Sequence, residues 1–233
     1  YESIILGLYA MWKGPENDVC DKLSIQKRNE LGLGYSRDGF HFYRPSYEPV
    51  MGVNETEGAW NWGNMQSIIG TPLIVGDSLY IYSSGRLKNK VMWDGFTSTG
   101  LATLRRDGFV SMHTPSEGSL VTEKITFDGK YFFVNAQAKD LKVELLDKDG
   151  KVIPGFSKDD CTLMQNLNST KQLVTWKSAK NVASLAGQVV KVKFYVTNGD
   201  LYSFWVSPWE SGESRGYTGG GGPGLNPSGI DLK

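Results

Sequence analysis

The chain has 233 residues, 39% of them apolar, which is enough to pack a core in one large domain or two smaller ones. Its 25 basic residues balance 25 acidic ones and no window collects the basic ones, so neither nucleic acid nor an anionic membrane surface has an electrostatic footprint here. No apolar run approaches the roughly 20 residues of a membrane helix. No signal-peptide pattern is present either, which leaves export open because a mature chain has lost its own.

In chain order the pattern predicts strands almost throughout. Ser3–Trp12 is apolar and rich in Ile and Tyr, while Gly14–Asn29 is polar and irregular and predicts an insertion loop. Leu31–Ser36 and Phe40–Tyr43 flank an Arg-Asp-Gly-Phe step, and Pro45 and Pro49 close that unit. A second unit runs through Asn64–Val75, a Gly76-Asp77 turn, Ser78–Ser84 and Thr99–Leu104. The linkers Met51–Trp62 and Arg86–Ser98 are expected to project as loops.

Arg-Asp-Gly-Phe occurs twice, at Arg37–Phe40 and Arg106–Phe109, 69 residues apart. Asp-Gly suits a tight turn, so each copy reads as a hairpin tip. Two copies of one unit at this period predict neighbouring blades of a β-propeller, whose blades take about 40 to 50 residues plus insertions. Two blades cannot close a ring. The expected partner is therefore the N-terminal half of a propeller, from the same precursor or a separate chain.

From about Gly118 the strand candidates become short and evenly spaced: Leu120–Phe127, Tyr131–Ala136, Leu141–Leu146, Gln172–Trp176, Val189–Val196 and Leu201–Val206. Turns are expected at Asp128-Gly129, Asp149-Gly150 and Asn198-Gly199-Asp200, a spacing that suits a β-sandwich. Val190, Val192, Phe194 and Val196 alternate with Lys191, Lys193, Tyr195 and Thr197, which predicts one buried and one wet face. The Gly-rich stretch at 219–224 is expected to lie along the surface or in a groove. The fold expectation is all-β: the last blades of a propeller over 1–115, a β-sandwich over 116–210, and a Gly-rich tail over 211–233.

Cys20 and Cys161 carry no metal-site spacing and read as two separate buried thiols. His41 and His113 sit in no triad or metal spacing, and Gly219–Gly222 lacks the Lys-Ser/Thr of a phosphate loop, so no metal and no nucleotide cofactor is expected. Glu2 opens an apolar strand, where a carboxylate is costly to bury without a partner; that makes it the candidate acid. The segment Gly58–Ser67 sets Trp60 and Trp62 among amides and glycines. Indole faces suit sugar rings and amides bond hydroxyls, so Trp60, Trp62, Asn64, Gln66 and Ser67 are candidate saccharide contacts, with packing between blades as the competing role for the tryptophans. Arg86 is added as a cation able to reach a ligand or an acid. Arg105 and Arg106 read as structural.

Tyr1-Glu2-Ser3, the stretches 34–42 and 58–67, and Gly100–Met112 together resemble secreted bacterial proteins related to glycoside hydrolase families 32 and 43, over essentially the whole chain. The resemblance implies a five-bladed propeller followed by a β-sandwich, with carboxylates in the propeller channel. It implies glycoside hydrolysis in which Glu2 is the general acid and the other carboxylates come from blades outside this chain. It implies an oligo- or polysaccharide ligand and a secreted or periplasmic location, to which the triplets Asn54-Glu-Thr and Asn168-Ser-Thr add little. The competing expectation is a non-catalytic carbohydrate-binding or surface protein on the same scaffold.

Overall fold

A computed structural model describes residues 1–25, 27–56, 58–87 and 97–233. Half of the described residues lie in strands and 5% in helix, arranged in antiparallel sheets, in keeping with the all-β expectation. Two compact units are present, one of residues 1–104 with 216–229, the other of 105–215 with 230–233. No helix among the described residues is long and apolar enough to cross a membrane.

In the first unit, β1 (Ile5–Gly14) pairs with β2 (Arg28–Ser36) from Ile5 opposite Ser36 to Trp12 opposite Asn29. Single bridges extend this ribbon on the far side of β2, from Leu31 to Met51 and from Tyr35 to Tyr43. The expected insertion loop contains a short helix, α1 (Asn17–Leu23), that the irregular composition did not announce. Asp18 sits in its first turn and Lys22 in its last, the charge order a helix dipole favours, and Ser24 closes it in left-handed conformation.

A second sheet holds β3 (Asn64–Ile68), β4 (Leu73–Val75), β5 (Ser78–Arg86) and β6 (Thr97–Arg105), with β5 pairing all the others. The β4–β5 hairpin turns at Gly76-Asp77, with Gly76 at positive φ, as the sequence suggests. Met65, Ile74, Leu79 and Ile81 form its buried side, together with Leu31 and Leu33 of β2 in the core of this unit. Glu57 and most of the 86–98 linker lie outside the described residues.

The Gly-rich segment is bound closely to this unit. Ile74 donates its N–H to the Gly221 carbonyl at 3.0 Å, and Gly222 lies so near the Ile74 carbonyl that a Cβ there would stand 1.7 Å from the oxygen. Glycine at 222 is what lets the two backbones meet.

The second unit is a four-stranded sheet in the order β7 (Met112–Val121), β10 (Val190–Ser207), β8 (Tyr131–Asp147), β9 (Met164–Val174). Its apolar face carries Phe132, Val134, Leu141, Val143, Leu145, Val192, Phe194 and Val196. Phe156, Trp176, Val182 and Leu185 from the connections cover that face, with Phe132 edge-on to Trp176 and stacked on Phe204. The predicted alternation along Val190–Thr197 is present: the apolar members are buried and the polar ones lie on the other face.

Two expectations need correction. The six short strands are fewer and longer: Tyr131–Ala136 and Leu141–Leu146 are one strand, and so are Val189–Val196 and Leu201–Val206. Asn198-Gly199-Asp200 is not a turn but a bulge inside β10, with Asn198 at φ +43° and the register to β7 shifting between Thr197 and Gly199, while the register to β8 runs on unbroken to Leu201. Asp149-Gly150, in contrast, is a true tight turn closed by Asp147 accepting from Gly150 and Lys151.

The repeat likewise splits into two different structures. The first copy is a tip: Tyr35 and Tyr43 bridge across it, and Asp38 accepts from the N–H groups of Phe40 and His41. The second copy joins strands of different sheets, β6 and β7, so it is no hairpin. Asp107, at φ +60°, there accepts from Ser203, while Asn135 donates to the Arg106 carbonyl. Arg105 fills a structural role, donating to Asn135, Asn168 and the Ala136 carbonyl.

Candidate functional site

Every residue proposed from sequence for the site belongs to the first unit. Glu2 has left-handed backbone, φ +49°, and its main chain pairs with Tyr217 in both directions, at 2.6 and 3.2 Å. Its carboxylate lies against the Gly216 backbone, since a Cβ on Gly216 would stand 1.9 Å from Oε2. Glu2 is thus fixed by the 216–217 segment, and it is half-buried.

Trp60 is a packing residue. Gly85 of β5 and Gly100 of β6 lie against its indole: a Cβ on Gly100 would come 2.4 Å from Cη2, one on Gly85 2.9 Å from Cε3. Its carbonyl accepts from the Ser98 hydroxyl and would stand 2.8 Å from a Cβ on Gly85. Trp62 closes a turn onto the Ala59 carbonyl at 3.0 Å. Asn64 begins β3 opposite Arg86, is buried, and donates Nδ2 to the Lys27 carbonyl at 2.9 Å; its Oδ1 has no partner among the described residues. Gln66 is half-buried and Ser67 exposed, opposite Ser84.

The structure opens a cavity elsewhere in this unit, where β1 ends and α1 begins. It has a volume of about 500 Å³, within the usual range for small-ligand sites, and is lined by Trp12, Glu16, Asn17, Asp18, Lys27 and Asn29. Trp12 is 59% exposed although it lies near the end of β1, whereas Asn29, its cross-strand partner, is buried. An indole left in water at one wall, with carboxylates, amides and an ammonium at the others, offers a stacking face and both hydrogen-bond polarities. The sequence carried a signal for it: a tryptophan at the boundary between an apolar strand and a polar insertion. Asn64 belongs to this region through the Lys27 carbonyl.

On the opposite face of the β1–β2 ribbon, at Lys13, Arg28 and Glu30, the buried Glu30 carboxylate pairs with Arg28 at 2.9 Å and faces Lys13 at 3.9 Å. Arg28 also binds Glu55, and its pKa is raised by hydrogen bonding to Glu30 above all. These ion pairs hold the strand start beneath the cavity. Ser111 and His113 both bond Asp200 Oδ1, at 2.7 and 3.1 Å; the serine donates to the carboxylate, so the imidazole is not positioned as its base. No group of three or more metal-ligating side chains occurs among the described residues.

Comparison of the chain with protein-family models, curated proteins and solved structures found no match.

Proposed function

We propose that this chain is a carbohydrate-binding part of an all-β protein resembling glycoside hydrolase families 32 and 43, with the first unit as propeller blades and the second as the trailing sandwich. The Trp12 cavity carries the reading. A pyranose or furanose ring presents an apolar face to an indole and hydroxyls to carboxylates and amides, and the walls at Glu16, Asn17, Asp18, Lys27 and Asn29 supply those partners. Exposed Ile5, Phe40, Phe42 and Tyr47 on the first unit support packing against further blades, the expected N-terminal propeller half. A secreted or periplasmic site of action goes with this reading.

Glycoside hydrolysis with Glu2 as general acid is the second reading. It is favoured by the backbone at Glu2, a non-glycine residue held in a sparsely populated conformation that functional sites often store. Catalysis of this kind needs a second carboxylate roughly 5–10 Å away, supplied in this reading by other blades.

Affinity measurement on neutral oligosaccharides and insoluble polysaccharides separates the two. Trp12→Ala is expected to remove saccharide binding, whereas Glu2→Gln leaves it in place. Binding that survives Trp12→Ala counts against the cavity. Sugar release by the chain joined to those further blades, lost in Glu2→Gln, establishes the hydrolytic reading instead.

A further inference from the structure

The second unit carries a groove on its polar sheet face, lined by none of the residues of the Trp12 cavity. It has a volume of about 260 Å³ and runs across all four strands. Glu117 stands opposite Thr197, Thr197 opposite Asp140, and Asp140 opposite Gln165, one residue from each strand in a row. The next row sets Tyr195 opposite Lys142, with Lys158 Nζ 4.3 Å from the centre of the Tyr195 ring. Three steps of strand spacing make the row about 14 Å long.

The wall is preorganised. The Glu144 carboxylate is buried below the groove, where it accepts from the Tyr195 hydroxyl at 2.9 Å and from the Lys158 N–H at 3.0 Å. Lys142 Nζ in turn donates to the Lys158 carbonyl at 3.0 Å. The Tyr195 hydroxyl and the Lys142 ammonium are therefore held in place, and the main chain at Lys158 is tied to Glu144.

We propose that this groove is a ligand site, independent of the Trp12 cavity, for an uncharged oligosaccharide lying across the strands. The two rows oppose each other in charge. An anionic polymer meets Glu117 and Asp140, and a cationic one meets Lys142 and Lys158. A sugar hydroxyl both donates and accepts, so a neutral polyol satisfies both rows at once. A peptide adding to a sheet pairs with an edge strand, whereas this groove crosses a face whose backbone groups already bond their neighbours.

The test is an amide-resolved NMR titration of the full chain with cello-, xylo- and manno-hexaose, alongside a galacturonate oligomer and an unstructured peptide. At least one neutral hexaose is expected to shift the amides around residues 117, 140–142, 165 and 195–197, and Trp12→Ala leaves those shifts unchanged. Asp140→Ala with Gln165→Ala removes two side-chain partners and weakens that binding by about tenfold or more. Asp140→Lys, on a surface position whose folding the same spectra check, turns the preference toward the galacturonate oligomer. Shifts confined to the Trp12 cavity overturn the proposal while leaving the cavity reading intact. Groove amides that move with the peptide alone, or with none of the neutral sugars at millimolar concentration, overturn it as well.

Discussion

The side chain of Asn64 reaches from the start of β3 to the main-chain carbonyl of Lys27, 2.9 Å away, and so fixes one wall of the Trp12 cavity from a neighbouring sheet of the same unit. Asn64→Ala leaves the Lys27 carbonyl without that donor. The expected loss is about 1 kcal/mol of stability, with weaker saccharide binding through the displaced Lys27. Chemical denaturation beside a binding isotherm reads both effects. Unchanged binding would separate Asn64 from the cavity.

Gly199 and Gly150 are glycines for different reasons. A Cβ on Gly199 would stand 2.2 Å from the Gln137 carbonyl oxygen across the β10–β8 pair, whereas one on Gly150 meets no atom within 4 Å but carries φ +85°. Gly199→Ala is expected to cost roughly 2 kcal/mol or more, because backbone must move. Gly150→Ala costs about 1 kcal/mol, for the left-handed conformation alone. Thermal melts of the two variants should keep that order.

Acid should destabilise both units. His41 above all, then the His41 and Phe40 N–H groups, hold the Asp38 carboxyl well below the usual carboxylate range; the N–H groups of Lys151 and Asp149 do the same for Asp147. A folded pKa below the unfolded one gives stability that is complete above about pH 4 and lost as pH falls through the folded value. Urea midpoints at pH 6 and pH 3 should therefore differ, and Asp38→Asn together with Asp147→Asn should flatten the difference.

Both cysteines should resist alkylation until the chain unfolds. Cys20 and Cys161 are unpaired and almost wholly buried. Burial pushes the Cys161 thiol up, against the N–H of Val143 that donates to its sulfur at 3.2 Å. With the folded pKa raised, its contribution is complete below the ordinary thiol value of about 8.5 and lost as pH rises above it. Thiol labelling with and without denaturant, at pH 7 and pH 9.5, checks the protection and its alkaline decline.

Alternation was the most readable property of this sequence, because burial of Val190, Val192, Phe194 and Val196 depends only on a period of two. Turn chemistry was ambiguous. Asp149-Gly150 and Asn198-Gly199 look alike on paper, yet the second is absorbed as a bulge because β10 continues its pairing with β8 on both sides. The two Arg-Asp-Gly-Phe steps are identical in sequence, and their different roles depend on where the chain runs after each: a return to β2 at Tyr43, or entry into β7. Trp60 and Trp12 show the same limit for the site. Nothing local distinguishes an indole pressed onto Gly85 and Gly100 from one left beside a cavity; glycines 25 and 40 residues downstream of Trp60 decide it.

The segment that begins at Gly216 belongs to the first unit, and the chain returns to the second at Ile230, where Arg215 donates its N–H to the Asp231 carbonyl and closes the loop. Neither unit is thus a continuous stretch of sequence. No single cut yields two complete pieces: a fragment ending at Leu104 lacks the strand-like partner of Ile74 and Glu2, and its expression alone should give an unstable product. During synthesis, the first unit to begin emerging from the ribosome cannot finish folding until 216–229, on the far side of most of the second unit, has been made.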